Sequence, residues 1–177
     1  MRLSTAILLG IALIGLVLFQ ALADAVLYER PPLPALVRAD FVLVEKSAHR
    51  LTLFSQGTEL RRYDVALGRG GLAPKERQGD GRTPEGRYKI DWRLARSDFH
   101  RALHISYPSE KDAAAARARH VNPGGAIMIH GLRNGWGWIG RWHRLTDWTN
   151  GCIAVTDDEI DEIARAVPDG TPIEIRP

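Results

Sequence analysis

Apolar and polar residues alternate along this chain in short runs, a pattern that predicts strands more often than helices. From Asp40 onward, Phe41-Val42-Leu43-Val44, Leu51-Thr52-Leu53-Phe54 and Leu60 to Leu67 are separated by brief polar breaks, with a turn at Gln56-Gly57. This reads as a β-meander. Further strands are expected at Tyr88 to Trp92, Ala102 to Tyr107, Ala126 to Ile129, Cys152 to Val155 and Pro172 to Arg176. Two helices interrupt them. Ser109 can cap one over Glu110 to Arg119, whose alanines and charges suit an exposed position. Thr156 and Glu159 form a capping-box pair ahead of the other, over Asp157 to Val167, and Pro168-Asp169-Gly170 turns the chain out of it. The segment from Gly68 to Gly86, rich in glycine and charge, reads as a long ordered loop or a lid. The predicted class is mostly β with short helices.

The first residues follow a different pattern. Arg2 precedes an uncharged apolar run from Ala6 to Phe19, and the small-residue stretch Ala21-Leu22-Ala23-Asp24-Ala25 follows. Such a segment is an export signal. The run is short for a spanning helix, which needs about 20 apolar residues, but extension through Leu27 would let it remain as an anchor. Residues 1–25 are therefore read as a signal peptide or N-terminal membrane anchor, and residues 26–39, with Pro31, Pro32 and Pro34, as a linker. Residues 40–177 then form one domain, expected to be monomeric and exported to the periplasm or cell envelope.

Composition narrows the function classes. Hydrophobic residues make up 45% and charged residues 25% of the 177, which fits a soluble globular domain and excludes wholesale disorder. The net charge of +3 and the pI of about 9.3 are mildly basic. No Lys/Arg run with interleaved aromatics marks a nucleic-acid groove, so a weakly anionic polymer such as cell wall is the better match. The single cysteine, Cys152, rules out an internal disulfide, and a lone thiol in an oxidising compartment asks for a reason.

Cys152 follows Gly151 at a loop-to-strand junction, where a side chain can face a cleft. A free thiol has a pKa near 8.5, and a neighbouring imidazolium would be expected to lower it. His130, delivered by the apolar strand Ala126 to Ile129, is the candidate neighbour; on composition alone an inert buried thiol and a core histidine are the more ordinary reading. Trp136, Trp138, Trp142 and Trp148 crowd one segment beside Arg133, Arg141, Arg144 and His143. That suits either a lid that stacks on substrate or a flap packed by its own aromatics, with His143 free to swing. The spacing of His130, His143, Asp147 and Cys152 fits no common zinc pattern, and neither metal nor cofactor is expected.

His130-Gly131 followed by Thr149-Asn150-Gly151-Cys152-Ile153 resembles the signature of the L,D-transpeptidase, or YkuD-type, family. Gly79-Asp80-Gly81-Arg82-Thr83-Pro84-Glu85-Gly86-Arg87-Tyr88 is similar to that family's loop and strand ahead of the active site, so the likeness spans nearly all of Phe41 to Arg176. It implies a single-domain, sandwich-like catalytic fold acting on peptidoglycan stem peptides. Cys152 would attack the carbonyl of the meso-diaminopimelate residue in a stem tetrapeptide, releasing D-alanine and leaving a thioester. His130 would be the proton donor and acceptor, the Gly131 carbonyl would orient it, and the N–H groups of Gly151 and Cys152 would form the oxyanion hole. Arg133, Trp136, Trp138, Arg141, Thr149 and Asn150 would bind substrate. An amine of a second stem peptide would resolve the thioester to a cross-link, whereas water would make the enzyme a carboxypeptidase or hydrolase; a non-catalytic wall-binding domain is the remaining alternative. Three positions depart from the family pattern. Asn150 stands where a second histidine is usual, the spacer from His130 to Thr149 is somewhat long, and Ala154 replaces an arginine or asparagine.

Overall fold

The computed structural model describes residues 31–177. The leader over residues 1–25 and the start of the linker lie outside the described residues. Among those described, eight strands form one sheet: β1 (Phe41–Glu45), β2 (Arg50–Ser55), β3 (Thr58–Asp64), β4 (Gly86–Ser97), β5 (His100–Ile105), β6 (Met128–His130), β7 (Ile153–Ala154) and β8 (Pro172–Arg176). Their order is β3-β2-β1-β8-β4-β5-β6-β7. The fold is mostly β, as the residue pattern predicts.

β1 to β3 are the expected meander. Gln56 and Gly57 have φ of 50° and 76°, the left-handed pair that lets a two-residue hairpin follow the twist of its strands. The C-terminal strand β8 lies between β1, to which it runs parallel, and β4, to which it is antiparallel. The sheet curls so far that the chain just beyond β3 meets the opposite edge: Ala66 N–H donates to the Ala154 carbonyl at 3.0 Å, and Ala154 N–H donates back at 2.8 Å. This closure places the segment before β7, which carries Cys152, at the seam.

Among the described residues, two α-helices, α1 (Glu110–Ala118) and α2 (Asp157–Ala166), start at the predicted caps, each with a complete capping box. In α1 only Ala116 is buried. In α2, Ile160, Ile163, Ala164 and Ala166 are buried, and the helix packs against β5. These residues join Val42, Val44, Leu51, Leu53, Ile90, Leu103, Ile105, Ile129, Ile153, Ile173 and Ile175 in one core. No helix among the described residues is long and apolar enough to cross a membrane.

Two segments differ from expectation. β4 continues to Ser97, beyond the predicted Trp92, and forms a long hairpin with β5. Its second half is mostly exposed on both faces, so no apolar alternation marks it in the sequence. Residues 33–39 do not all hang free as a linker: Leu33 is buried, its N–H donates to Glu162 on α2, and Ala39 N–H donates to the Ala166 carbonyl.

The loop between Gly68 and Gly86 is ordered by charge. The Asp80 carboxylate accepts from the N–H groups of Glu76, Arg77 and Arg82 at 2.7–3.0 Å and from Lys75 Nζ at 2.8 Å. Burial would raise its pKa, but the N–H groups and the ammonium outweigh burial and hold the carboxyl well below the usual range. Lys46, fully buried, donates to the Thr83 carbonyl at 3.0 Å and to Glu85 at 2.8 Å, anchoring the loop's far end.

Candidate active site

β6 and β7 run parallel, with Ile129 opposite Ile153 and His130 opposite Ala154. Continuing that register sets Cys152 beside Met128, and the strand alternation then puts Cys152 and His130 on the same face. Both line a cavity of about 570 Å³, together with Arg69, Leu94, Ser97, Asp98, Phe99, Ala102, Ala126, Met128, Trp148, Thr149 and Asn150. That volume is typical of small-molecule sites.

The His130 ring is buried, and its Nδ1 lies 2.7 Å from the Gly131 carbonyl oxygen. A carbonyl only accepts, so Nδ1 carries the proton and Nε2 is left as the ring's base. Phe99 and Trp148 pack on the ring at centroid distances of 4.7 and 5.7 Å. Burial pushes the imidazole pKa down, and the bond to Gly131 offsets only part of this. Gly131 is glycine for a local reason: a β-carbon there would lie 2.7 Å from Asp157 Oδ1. The same carboxylate, at the start of α2, accepts from Leu132 N–H at 2.8 Å and so fixes the chain leaving β6.

Cys152 is half-buried, with its sulfur 3.6 Å from the Ala126 carbonyl. Burial pushes the thiol pKa up, against weaker lowering by the Met128 N–H and the Lys75 charge. The expectation of a thiol lowered by an imidazolium is thus corrected. Burial favours the neutral form of both groups, so the resting pair is a thiol and a neutral imidazole. A thiol and an imidazole in these states could react only by proton transfer to the ring during attack by sulfur, rather than as a preformed ion pair.

The loop that carries Cys152 is stapled internally. Thr149 Oγ1 accepts from Gly151 N–H at 3.1 Å and donates to the Cys152 carbonyl at 2.7 Å. Asp147 accepts from Leu67 N–H at 2.7 Å and from His49 Nε2 at 3.0 Å. Gly151 has φ of 126°, and a β-carbon on it would stand 2.6 Å from the Arg82 carbonyl. Two expected roles change. Thr149 is spent on shaping the loop, and the Gly151 N–H is already engaged, so in this geometry it is not available to an oxyanion.

The predicted substrate contacts divide. Thr149 and Asn150 line the cavity, whereas Arg133, Trp136, Trp138 and Arg141 do not. The last three border or lie within a 3-10 segment over Gly137–Leu145. Trp136, Trp138 and Trp142 are 52%, 81% and 68% exposed, which overturns the reading of a flap packed by its own aromatics. His143 does not swing freely. It is buried, its Nδ1 accepts from Trp148 Nε1–H at 3.3 Å, and its pKa is pushed down to about 4 by burial, with smaller effects from Arg144 and His130. Arg69, Asp98 and Phe99 reach the cavity without having been singled out in the sequence. Asp98 and Phe99 form the tip of a hairpin whose strands carry no clear period, and for Arg69 the flanking Gly68 and Gly70 were the only signal.

The model of the YkuD family, the L,D-transpeptidase catalytic domain, matches residues 39–175. YafK of Escherichia coli strain K12, a protein named provisionally as an L,D-transpeptidase, is 31% identical over 134 residues, covering 72% of this chain. The chain spans 46% of that relative's length. Among solved structures, the helical cell shape determining protein Pgp2 from Campylobacter jejuni superimposes with a TM-score of 0.61 at 23% identity, covering 79% of this chain and 48% of that one. An L,D-transpeptidase from Xylanimonas cellulosilytica superimposes with a TM-score of 0.53 at 16% identity, covering 89% and 69%. At these identities the superpositions establish the fold alone.

Proposed function

Since this chain belongs to the YkuD family of L,D-transpeptidase catalytic domains, we propose that it acts on peptidoglycan stem peptides through a thioester on Cys152, in cell-wall cross-linking or remodelling. The observation that carries this reading is a thiol and a histidine on one cavity, the histidine held by Gly131 so that only Nε2 can take a proton. Residues 40–177 are the catalytic domain, and residues 1–25 deliver it to the periplasm or cell envelope as a cleaved signal or an anchor.

In the first step the Cys152 thiol gives its proton to His130 Nε2 while sulfur bonds to the carbonyl carbon of the third residue of a tetrapeptide. The carbonyl π pair moves onto oxygen. Collapse of the adduct breaks the C–N bond, and the departing D-alanine amine takes the proton from Nε2. In the second step an acceptor amine attacks the thioester and gives a proton to Nε2, and the sulfur leaves and is reprotonated. With the Gly151 N–H held by Thr149, we assign the oxyanion donors to the Cys152 N–H and the side-chain amide of Asn150, which lines the cavity beside Cys152. A donor of this kind is worth about 2.7–4 kcal/mol in the transition state. Arg133, Trp136, Trp138 and Arg141 lie outside the cavity lining, and as substrate contacts their indole faces would suit sugar rings and their guanidinium groups stem carboxylates.

The test is incubation with purified tetrapeptide muropeptides and mass analysis of the products. The reading expects loss of D-alanine with new 3-3 linked dimers. Tripeptides without dimers would assign water as the acceptor. Unchanged muropeptides would overturn the reading in favour of a wall-binding domain.

A further inference from the structure

We infer that the exposed face of the 3-10 segment, centred on Trp142 and Leu145, docks on the surface of an anionic phospholipid bilayer. This goes beyond the proposed reaction and does not depend on it.

Trp142 and Leu145 stand three residues apart in the turn that follows the kink at Gly140, and in a 3-10 turn residues so spaced lie one above the other. They are 68% and 76% exposed, and Trp138, just before the kink, is 81% exposed. Large apolar groups clustered in the open mark an interaction site. The platform beneath them is fixed. His143 is buried and accepts from Trp148, Arg144 pairs with Glu159, and a β-carbon on Gly137 would lie 2.4 Å from Asp157 Oδ2. The fold itself therefore holds these apolar groups outward.

Charge selects the occupant. From Arg133 to Thr146 the chain carries three arginines and neither aspartate nor glutamate, and Arg133 and Arg141 are exposed. The acids that border the segment are engaged, apart from exposed Asp158: Asp147 accepts from Leu67 N–H and His49, Asp157 accepts from Leu132 N–H, and Glu159 holds Arg144. The Asn134 amide, which would suit sugar hydroxyls, is spent on the His100 N–H and the Ser97 carbonyl. Indole and aliphatic groups beside guanidinium groups match acyl chains beneath anionic headgroups better than they match a glycan.

The point where the chain joins the domain lies on the same flank. Glu159 and Glu162 are three residues apart on α2 and so share one helix face. Glu159 holds Arg144 of the 3-10 segment, and Glu162 accepts from Leu33 N–H. The apolar run Ala6 to Phe19 is upstream of Leu33.

The experiment mixes the full chain with phosphatidylcholine vesicles, with and without phosphatidylglycerol, and reads quenching of tryptophan emission by brominated acyl chains. The five tryptophans all fall between Trp92 and Trp148, so the signal reports the domain and is blind to the leader. Wild type should be quenched on the anionic vesicles, and less so on phosphatidylcholine alone or as salt screens the charges. Trp142→Leu should keep this quenching in its remaining indoles, whereas the double variant Trp142→Gln/Leu145→Gln, which lacks the same indole, should lose it. Arg133→Gln and Arg141→Gln should each shift the ratio of docked to free domain about five-fold toward free. All four positions are exposed, so these variants leave the core intact. An unquenched wild type, or equal quenching in Trp142→Leu and in the double variant, overturns the inference. Emission that responds to peptide-free glycan strands and not to vesicles overturns it as well, and gives the face to sugar.

Discussion

A β-carbon on Gly151 would stand 2.6 Å from the carbonyl oxygen of Arg82, so the loop that carries Cys152 and the glycine-rich loop far upstream are built against each other. Gly68 completes the contact, since a β-carbon there would lie 2.2 Å from the Gly81 carbonyl and 3.0 Å from Gly151 Cα. Buried Lys46 and the Asp80 hydrogen bonds hold the upstream loop rigid enough to serve as a brace.

Gly151→Ala should therefore cost about 1–3 kcal/mol through overpacking against backbone, and slow alkylation of Cys152 by displacing it. Gly57→Ala is the control. It also has positive φ but nothing within 4 Å of the added carbon, so it should carry only the left-handed backbone cost of roughly 1–2 kcal/mol, to which the overpacking at Gly151 adds. Urea denaturation of both variants, with thiol alkylation rates, checks the difference; equal costs would contradict the brace.

Much of this arrangement is legible in the sequence. The meander, both capped helices and the strand bearing His130 follow from apolar runs and from Ser109, Thr156 and Glu159. The Gly79 to Tyr88 stretch is visible as a turn-rich motif, but its partner Gly151 is not, because a close approach of two backbones leaves only glycines behind. Asp98 and Phe99 stay hidden because the outer half of β4 is solvated on both faces. The exposure of Trp136, Trp138 and Trp142 was equally unreadable, since indoles crowded in sequence look the same whether they pack together or point outward.

The neutral resting pair predicts a particular pH profile. Burial depresses the His130 pKa and raises that of Cys152, so the acid limb of kcat/KM should fall below the free imidazole value of about 6.5. Alkylation by a neutral reagent should keep rising above about pH 8.5, with no thiolate plateau near neutrality. His130→Gln should abolish the acid limb and lower turnover by roughly 10²–10⁴-fold, while barely moving the alkylation profile. A neutral-pH plateau that disappears in His130→Gln would instead establish an ion pair.

Asn150→Ala should reduce kcat by about 10²–10³-fold with little change in KM if its amide meets the oxyanion. Asn150→His restores a ring N–H donor and should recover part of the loss. Steady-state kinetics on a tetrapeptide decide this. A fall in affinity alone would return Asn150 to a plain substrate contact.

His143 links acidity to stability. Its folded pKa of about 4 lies below the unfolded value of about 6.5, so between these values the unfolded chain binds more protons. Stability is full above pH 6.5 and falls as pH drops toward 4. His130 acts in the same direction, so His143→Asn, which keeps an acceptor for Trp148 Nε1–H, should flatten the decline in part. Urea midpoints from pH 7 to pH 4 in wild type and variant measure it, and identical curves would remove His143 from the account.

The most direct test of the central claim is intact-protein mass spectrometry after brief mixing with a tetrapeptide muropeptide and acid quenching. Wild type should gain the mass of the muropeptide less D-alanine, and peptide mapping should place it on Cys152. His130→Gln should gain it far more slowly, and Cys152→Ala, which loses one half-buried sulfur and stays folded, should not gain it at all. Release of D-alanine by Cys152→Ala at the wild-type rate, or an acyl group mapped to any other residue, would contradict a thioester on Cys152.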